Sequence, residues 1–142
     1  MDFNKIKLTD GLMQCEYNRE GKFTVTETSR TAPHPDLTAA IDNFSEPFIA
    51  SLNLDRLPDE VKVSGITIKE GKEGVTVSIS GSFNDSVGAF IGISTKPIKI
   101  YDEGYEEYNL NLMIESLSEE TKKFLFDNKQ AQIEMEFPED SK

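Results

Sequence analysis

The sequence predicts an α+β fold, an antiparallel sheet with two helices on one face, and three observations lead there. Several segments alternate apolar and polar residues with the period of two that marks a half-buried strand. Two others repeat apolar residues at helical spacing. The order in which they follow is strands, helix, four strands, helix, strand, which suits helices gathered on one side of an antiparallel sheet.

Each element has its own reasons. NKIKLT (4–9) alternates cleanly, Gly11 punctuates it, and LMQCEY (12–17) reads as a weaker second strand. NREGK (18–22) has the composition of a turn, and FTVTETSRT (23–31), rich in β-branched residues, reads as a better strand. Two or three strands therefore precede the helix entered at His34-Pro35, where a proline costs no hydrogen bond at the first helical position. Leu37, Ala40, Ile41, Phe44 and Phe48 form its apolar stripe, and Pro47 predicts a break near Ser45, with FIASLNL (48–54) resuming as a short second piece. Pro58 closes the region. EVKVSGITIKEG (60–71) and GVTVSISGSFN (74–84) are the clearest strands, a hairpin joined through Gly71 and Gly74. GAFIGISTKP (88–97) and IKIY (98–101) predict two more, with Pro97 at an edge or turn.

From 105 to 128 two readings compete. NLNLMIE could be a strand, with Ser116 and Glu119 forming the capping box of a new helix. Against this, Leu110, Met113, Ile114, Leu117, Thr121, Phe124 and Leu125 lie on one 3.6-residue stripe, which predicts a single long helix. Its start would be acidic (Asp102, Glu103, Glu106, Glu107) and its end basic (Lys122, Lys123, Lys129), in keeping with the helix dipole. QAQIEMEF (130–137) alternates again and predicts a closing strand that Pro138 ends.

A chain of 142 residues fits one domain, expected over 1–137, with 138–142 a frayed acidic tail. No apolar run approaches the roughly 20 residues of a membrane span, and MDFNKIKLTD lacks the layout of a signal peptide. A single cysteine excludes an internal disulfide framework, so the cytoplasm is the expected compartment. The net charge of −11 is uneven: residues 102–142 hold 12 acidic and 4 basic side chains, −8 of the total. Such a balance opposes general nucleic-acid binding at long range, and the free protein is expected not to bind duplex DNA appreciably near physiological salt. It leaves room for a local basic spot assembled from Lys62, Lys69, Lys96 and Lys99.

Candidates for chemistry are few. His34, the only histidine, is expected to sit at the helix entry and accept a helix N–H through a ring nitrogen; a metal site would need further imidazole or thiolate ligands. Cys15 reads as a small core residue. The acidic run YDEGYEEY (101–108) reads first as a solvated helix start. Its next reading is a partner-binding edge formed by Tyr101, Tyr105 and Tyr108 with Glu106 and Glu107, since tyrosines are enriched at interfaces. EGKEG and SGSF lack the spacing and context of phosphate-binding glycine loops. No catalytic residue, metal or cofactor is expected.

The element order, a helix followed by four antiparallel strands and another helix, resembles that of a sliding-clamp domain, an analogy of topology that implies no function. HPDL opening a helix, the hairpin VSGITIKEG…VTVSISG and the closing FLFDNKQAQIEMEF resemble a set of small phage and prophage proteins of unknown function, over residues 34–137. The resemblance implies a setting in phage or mobile-element DNA metabolism. The expected function is a non-enzymatic accessory or interaction protein acting through a protein partner. The alternative is an acidic nucleic-acid mimic that occupies a DNA-binding enzyme. An enzyme using scattered carboxylates and a metal is the third class.

Overall fold

The structure, a computed structural model, describes residues 3–19, 23–29, 31–71, 74–100 and 110–136, without the side chains of 19 and 128–136. Strand β1 (Phe3–Thr9) turns into β2 (Leu12–Arg19) through Asp10 and Gly11, whose φ angles are 53° and 77°. A two-residue turn with both centres left-handed matches the twist of the strands it joins, and an Asp-Gly pair tolerates it. β3 (Phe23–Thr28) completes a meander, with Gln14 opposite Thr28 and Tyr17 opposite Val25.

The chain then crosses one face of the sheet as α1 (Pro35–Asp42) and α2 (Ser45–Leu52). The predicted break falls at Asn43 and Phe44, just ahead of Ser45. Pro47 occupies the third position of α2, where an N–H has no partner within the helix, and the first bond runs from Phe48 N–H to the Phe44 carbonyl at 3.0 Å. Asn53, left-handed at φ 54°, ends α2. A 3-10 turn over Pro58–Glu60 leads into the hairpin of β4 (Val61–Gly71) and β5 (Gly74–Asn84).

β6 (Phe90–Ser94) and β7 (Ile98–Lys99) are the two further strands expected on either side of Pro97. Both pair with β5, Ser80 opposite Ser94 and Val77 opposite Ile98. They are successive pieces along one edge of β5. Thr95 holds the interruption: its N–H donates to the Ile79 carbonyl and its hydroxyl oxygen accepts the Ile79 N–H, both at 2.9 Å. Pro97, which has no N–H to offer, lies in this gap at the sheet's edge.

The sheet is antiparallel throughout, in the order β3-β2-β1-β4-β5-β6. Two three-stranded meanders, each followed by helix, therefore meet along β1 and β4, where Ile6 stands opposite Ile66. Both central strands carry an irregularity, between Phe3 and Lys5 and between Val63 and Gly65. An extra residue lets side chains three positions apart share a face. Thus Phe3 and Ile6, and likewise Val63 and Ile66, are all buried.

α3 (Leu110–Glu136) runs unbroken through Ser116 and Ser118, as the stripe predicts. It packs on α1 and contributes Leu110, Leu117, Phe124 and Leu125 to the same core as Phe44, Phe48 and the inner residues of the sheet. The closing strand expected over 130–137 is not formed: the chain is helical to Glu136. Gln, Ala, Glu and Met all favour helix, and Ile133 is the one β-branched residue there, so the alternation of Ala131, Ile133 and Met135 does not override an established helix. Lys122, Lys123 and Lys129 consequently lie inside the helix rather than in its last turn. The acidic stretch 102–107 lies outside the described residues.

Ser116 is exposed on this continuous helix. Ser116→Ala is therefore expected to leave stability unchanged or raise it by a few tenths of a kcal/mol, measured by urea denaturation. A loss of about 1 kcal/mol would be the mark of a helix cap instead.

Candidate functional site

The helices cover one face of the sheet; on the other, no described element lies over the strands. Strand period and register together decide what that open face displays. Where β2 sends Met13, Cys15 and Tyr17 inward, it sends Gln14, Glu16 and Asn18 outward. Ile6 points in, so Lys5 and Lys7 point out; Val61 and Val63 point in, so Lys62 points out.

Cross-strand pairing arranges these residues in rows. One row runs Thr28, Gln14, Lys7, Gly65, Ser80, Ser94. The next runs Thr26, Glu16, Lys5, Thr67, Ser78, and beyond it Lys69, Thr76 and Lys99 lie side by side. Hydroxyls and amides tie the rows together: Ser80 and Ser94 share a hydrogen bond of 2.8 Å, and Gln14 Nε2 donates to Thr28 Oγ1 at 3.2 Å. Near the end of β1, Asn4 Nδ2 and Thr24 Oγ1 both donate to Asn18 Oδ1 at 3.2 Å.

Two adjoining shallow depressions cross the face. One, of about 260 Å³, is floored by Gly65 and walled by Lys5, Lys7, Thr67 and Ser80. The other, of about 510 Å³, is lined by Lys5, Asn18, Thr67 and Lys69 together with Glu16 and Glu70. Gly65 makes the first possible: a Cβ there would strike the Ile6 carbonyl oxygen and lie 2.6 Å from Lys7 Cα.

Charge is segregated between the two sides of the molecule. Among the described side chains the open face carries Lys5, Lys7, Lys62, Lys69 and Lys99 against Glu16, with Glu70 lining the second depression beside Lys69. No described carboxylate forms an ion pair with Lys5, Lys7, Lys62 or Lys69. The helical side exposes Asp36, Asp42 and Glu46 on α1 and α2, and Glu115, Glu119 and Asp127 on α3, where Lys122 and Lys123 are each paired with a glutamate.

His34 is the N-cap of α1, but its ring accepts no helix N–H. The carbonyl does the local work, accepting Thr38 N–H at 3.1 Å, and the ring leaves toward α3. There it meets Phe124 edge-on at 4.9 Å, with Nε2 3.7 Å from Asp127 Oδ2. The ring thus joins α1 to α3, which sequence spacing could not reveal. Cys15 lies in the core, as read. Tyr101, Tyr105, Tyr108, Glu106 and Glu107 lie outside the described residues. Of the lysines named as a basic spot, Lys62, Lys69 and Lys99 do share the open face. Lys5 and Lys7 were not among them, although their alternation with the inward-facing Ile6 carried the signal. No helix among the described residues is long and apolar enough to cross a membrane. No protein family, curated protein or solved structure matches the chain.

Proposed function

We propose that this is a non-enzymatic accessory protein of phage or mobile-element origin, serving DNA replication or recombination by binding, with the uncovered sheet face as its working surface. The observation that carries the reading is the segregation of charge: in a chain of net charge −11, five lysines gather on the one sheet face that the helices leave open. Solubility alone is served by mixed charges spread over a surface and gives no reason for such sorting. A cationic face on an acidic body suits an anionic partner and turns that partner toward the correct side. The nucleic-acid-mimic alternative calls for unbroken tracks of carboxylate. On α3 those tracks are interrupted, Glu119 by Lys122 at 3.9 Å and Glu120 by Lys123 at 3.2 Å.

Heparin-agarose tests the reading. A protein of isoelectric point 4.5 would ordinarily flow through such a polyanion at neutral pH and low salt. The wild type is expected to be retained, and Lys5→Glu combined with Lys69→Glu is expected to abolish retention. Lys122→Glu with Lys123→Glu, on the helical side, is expected to leave it intact. Flow-through of the wild type, or equal loss in both double variants, would refute a working open face.

A further inference from the structure

We infer that the anionic partner of the open face is single-stranded nucleic acid, laid flat across β1, β4 and β5. This rests on the reading of the open face as the binding surface.

Four features of the face favour that occupant. The first is shape. A six-strand sheet is about 24 Å wide, and its depressions are shallow. A duplex, being a stiff cylinder, meets a broad open surface along a line and brings few phosphates within reach. A single strand can lie down and follow the surface.

The second is the spacing of charge. Lys62 and Lys69 stand toward opposite ends of β4, with Lys5 and Lys7 beside it on β1, roughly 7 Å apart by strand geometry. They form a track of point charges along the two central strands. Thr67, Ser78, Ser80 and Ser82 lie beside this track and offer hydroxyl donors suited to phosphate oxygens. The described cations on the face are lysines, which bind phosphates as point charges.

The third is Phe90. It lies on the same face, opposite Asn84 and one row beyond Lys62 and Ser82, and 75% of it is exposed. Its ring edge lies 4.0 Å from where a Cβ on Gly92 would stand, so the glycine leaves space beside the ring. A large aromatic left in water at the end of a lysine track provides a stacking platform for an unpaired base, which a duplex could not present.

The fourth is the placement of the acidic side chains. Among the described residues, Asp36, Asp42, Glu46, Glu115, Glu119, Glu120 and Asp127 belong to helices on the far side of a packed layer about 10 Å thick, and the Debye length near 0.15 M salt is about 8 Å. The charge on those helices therefore slows encounter more than it weakens a strand already seated on the open face.

Fluorescence anisotropy with a labelled 20-nucleotide oligothymidine tests this, with a duplex of equal length and polyglutamate as competitors. At about 50 mM salt the oligonucleotide is expected to bind in the micromolar range, with log K falling against log salt at a slope of about −3 for four phosphate contacts. Lys5→Glu with Lys69→Glu should weaken it at least ten-fold and Phe90→Ala at least five-fold. Lys122→Glu with Lys123→Glu should leave it unchanged, all variants keeping the wild-type melting temperature within a few degrees. Absence of oligonucleotide binding, a duplex binding as tightly as the single strand, or tighter binding of polyglutamate would each overturn the inference. Retention on heparin without oligonucleotide binding would sink this inference while leaving the open-face reading intact.

Discussion

Gly65→Ala is expected to cost about 4 kcal/mol or more and to leave little folded protein at 37 °C, as read by urea denaturation followed by circular dichroism. The added methyl would meet the Ile6 carbonyl oxygen and stand 2.6 Å from both Lys7 Cα and Lys7 Cβ. These are mostly backbone atoms held by the β1–β4 ladder, so no side chain can swing aside to make room. The control is Gly92→Ala on β6, where a Cβ would have only the Phe90 ring edge at 4.0 Å. There the change should be neutral or mildly stabilising, because alanine loses less backbone freedom on folding. Equal effects at the two glycines would show that β1 and β4 are not held as closely as the structure has them.

Phe124→Ala is expected to cost about 3–5 kcal/mol, lowering the melting temperature on the order of 10 °C. Phe124 is 1% exposed and joins three things at once: the core beneath α3, the body of α1, and the His34 ring at 4.9 Å. Truncation empties a space that the surrounding helices cannot close without moving. Phe126, two residues on and 64% exposed, provides the contrast, and its replacement by alanine should change stability by less than about 0.5 kcal/mol. A small effect at Phe124 would mean that α3 does not dock through this stripe.

The strands and helix stripes were legible because each buries one face, and one-sided burial stamps its period on the residues. Leu37, Ala40, Ile41, Phe44 and Phe48 were read as one stripe and are all buried. The closing helical turns were misread because QAQIEMEF alternates over too few residues for periodicity to outweigh helix propensity. The division of one edge strand into β6 and β7 depends on Thr95 clasping Ile79, a contact between residues distant in sequence. The open lysine face was only partly legible for a related reason. Lys5 and Lys7 share one face of β1, but Lys62 and Lys69 stand far off in sequence on β4, and only the pairing of Lys7 with Gly65 and of Lys5 with Thr67 gathers them. The charge total, dominated by carboxylates elsewhere, pointed the other way.

The meeting of two meanders along β1 and β4 also sets the order in which the chain can fold. Within each meander, strands adjacent in sequence pair through short connections, so their ladders close with little loss of chain entropy. Bringing Ile6 against Ile66 requires the intervening strands and helices to be drawn into a closed loop first. That single ladder is the most distant strand pairing among the described residues and therefore the slow step to reach. Its amides should be the last to gain protection from hydrogen exchange during refolding, and in the native protein they should exchange only when the whole molecule opens. The two central strands thus act as the latch on which cooperativity depends: until they join, each half is a marginal sheet, and α1 and α2, which follow the first meander in sequence, pack on β4 and β5 of the second.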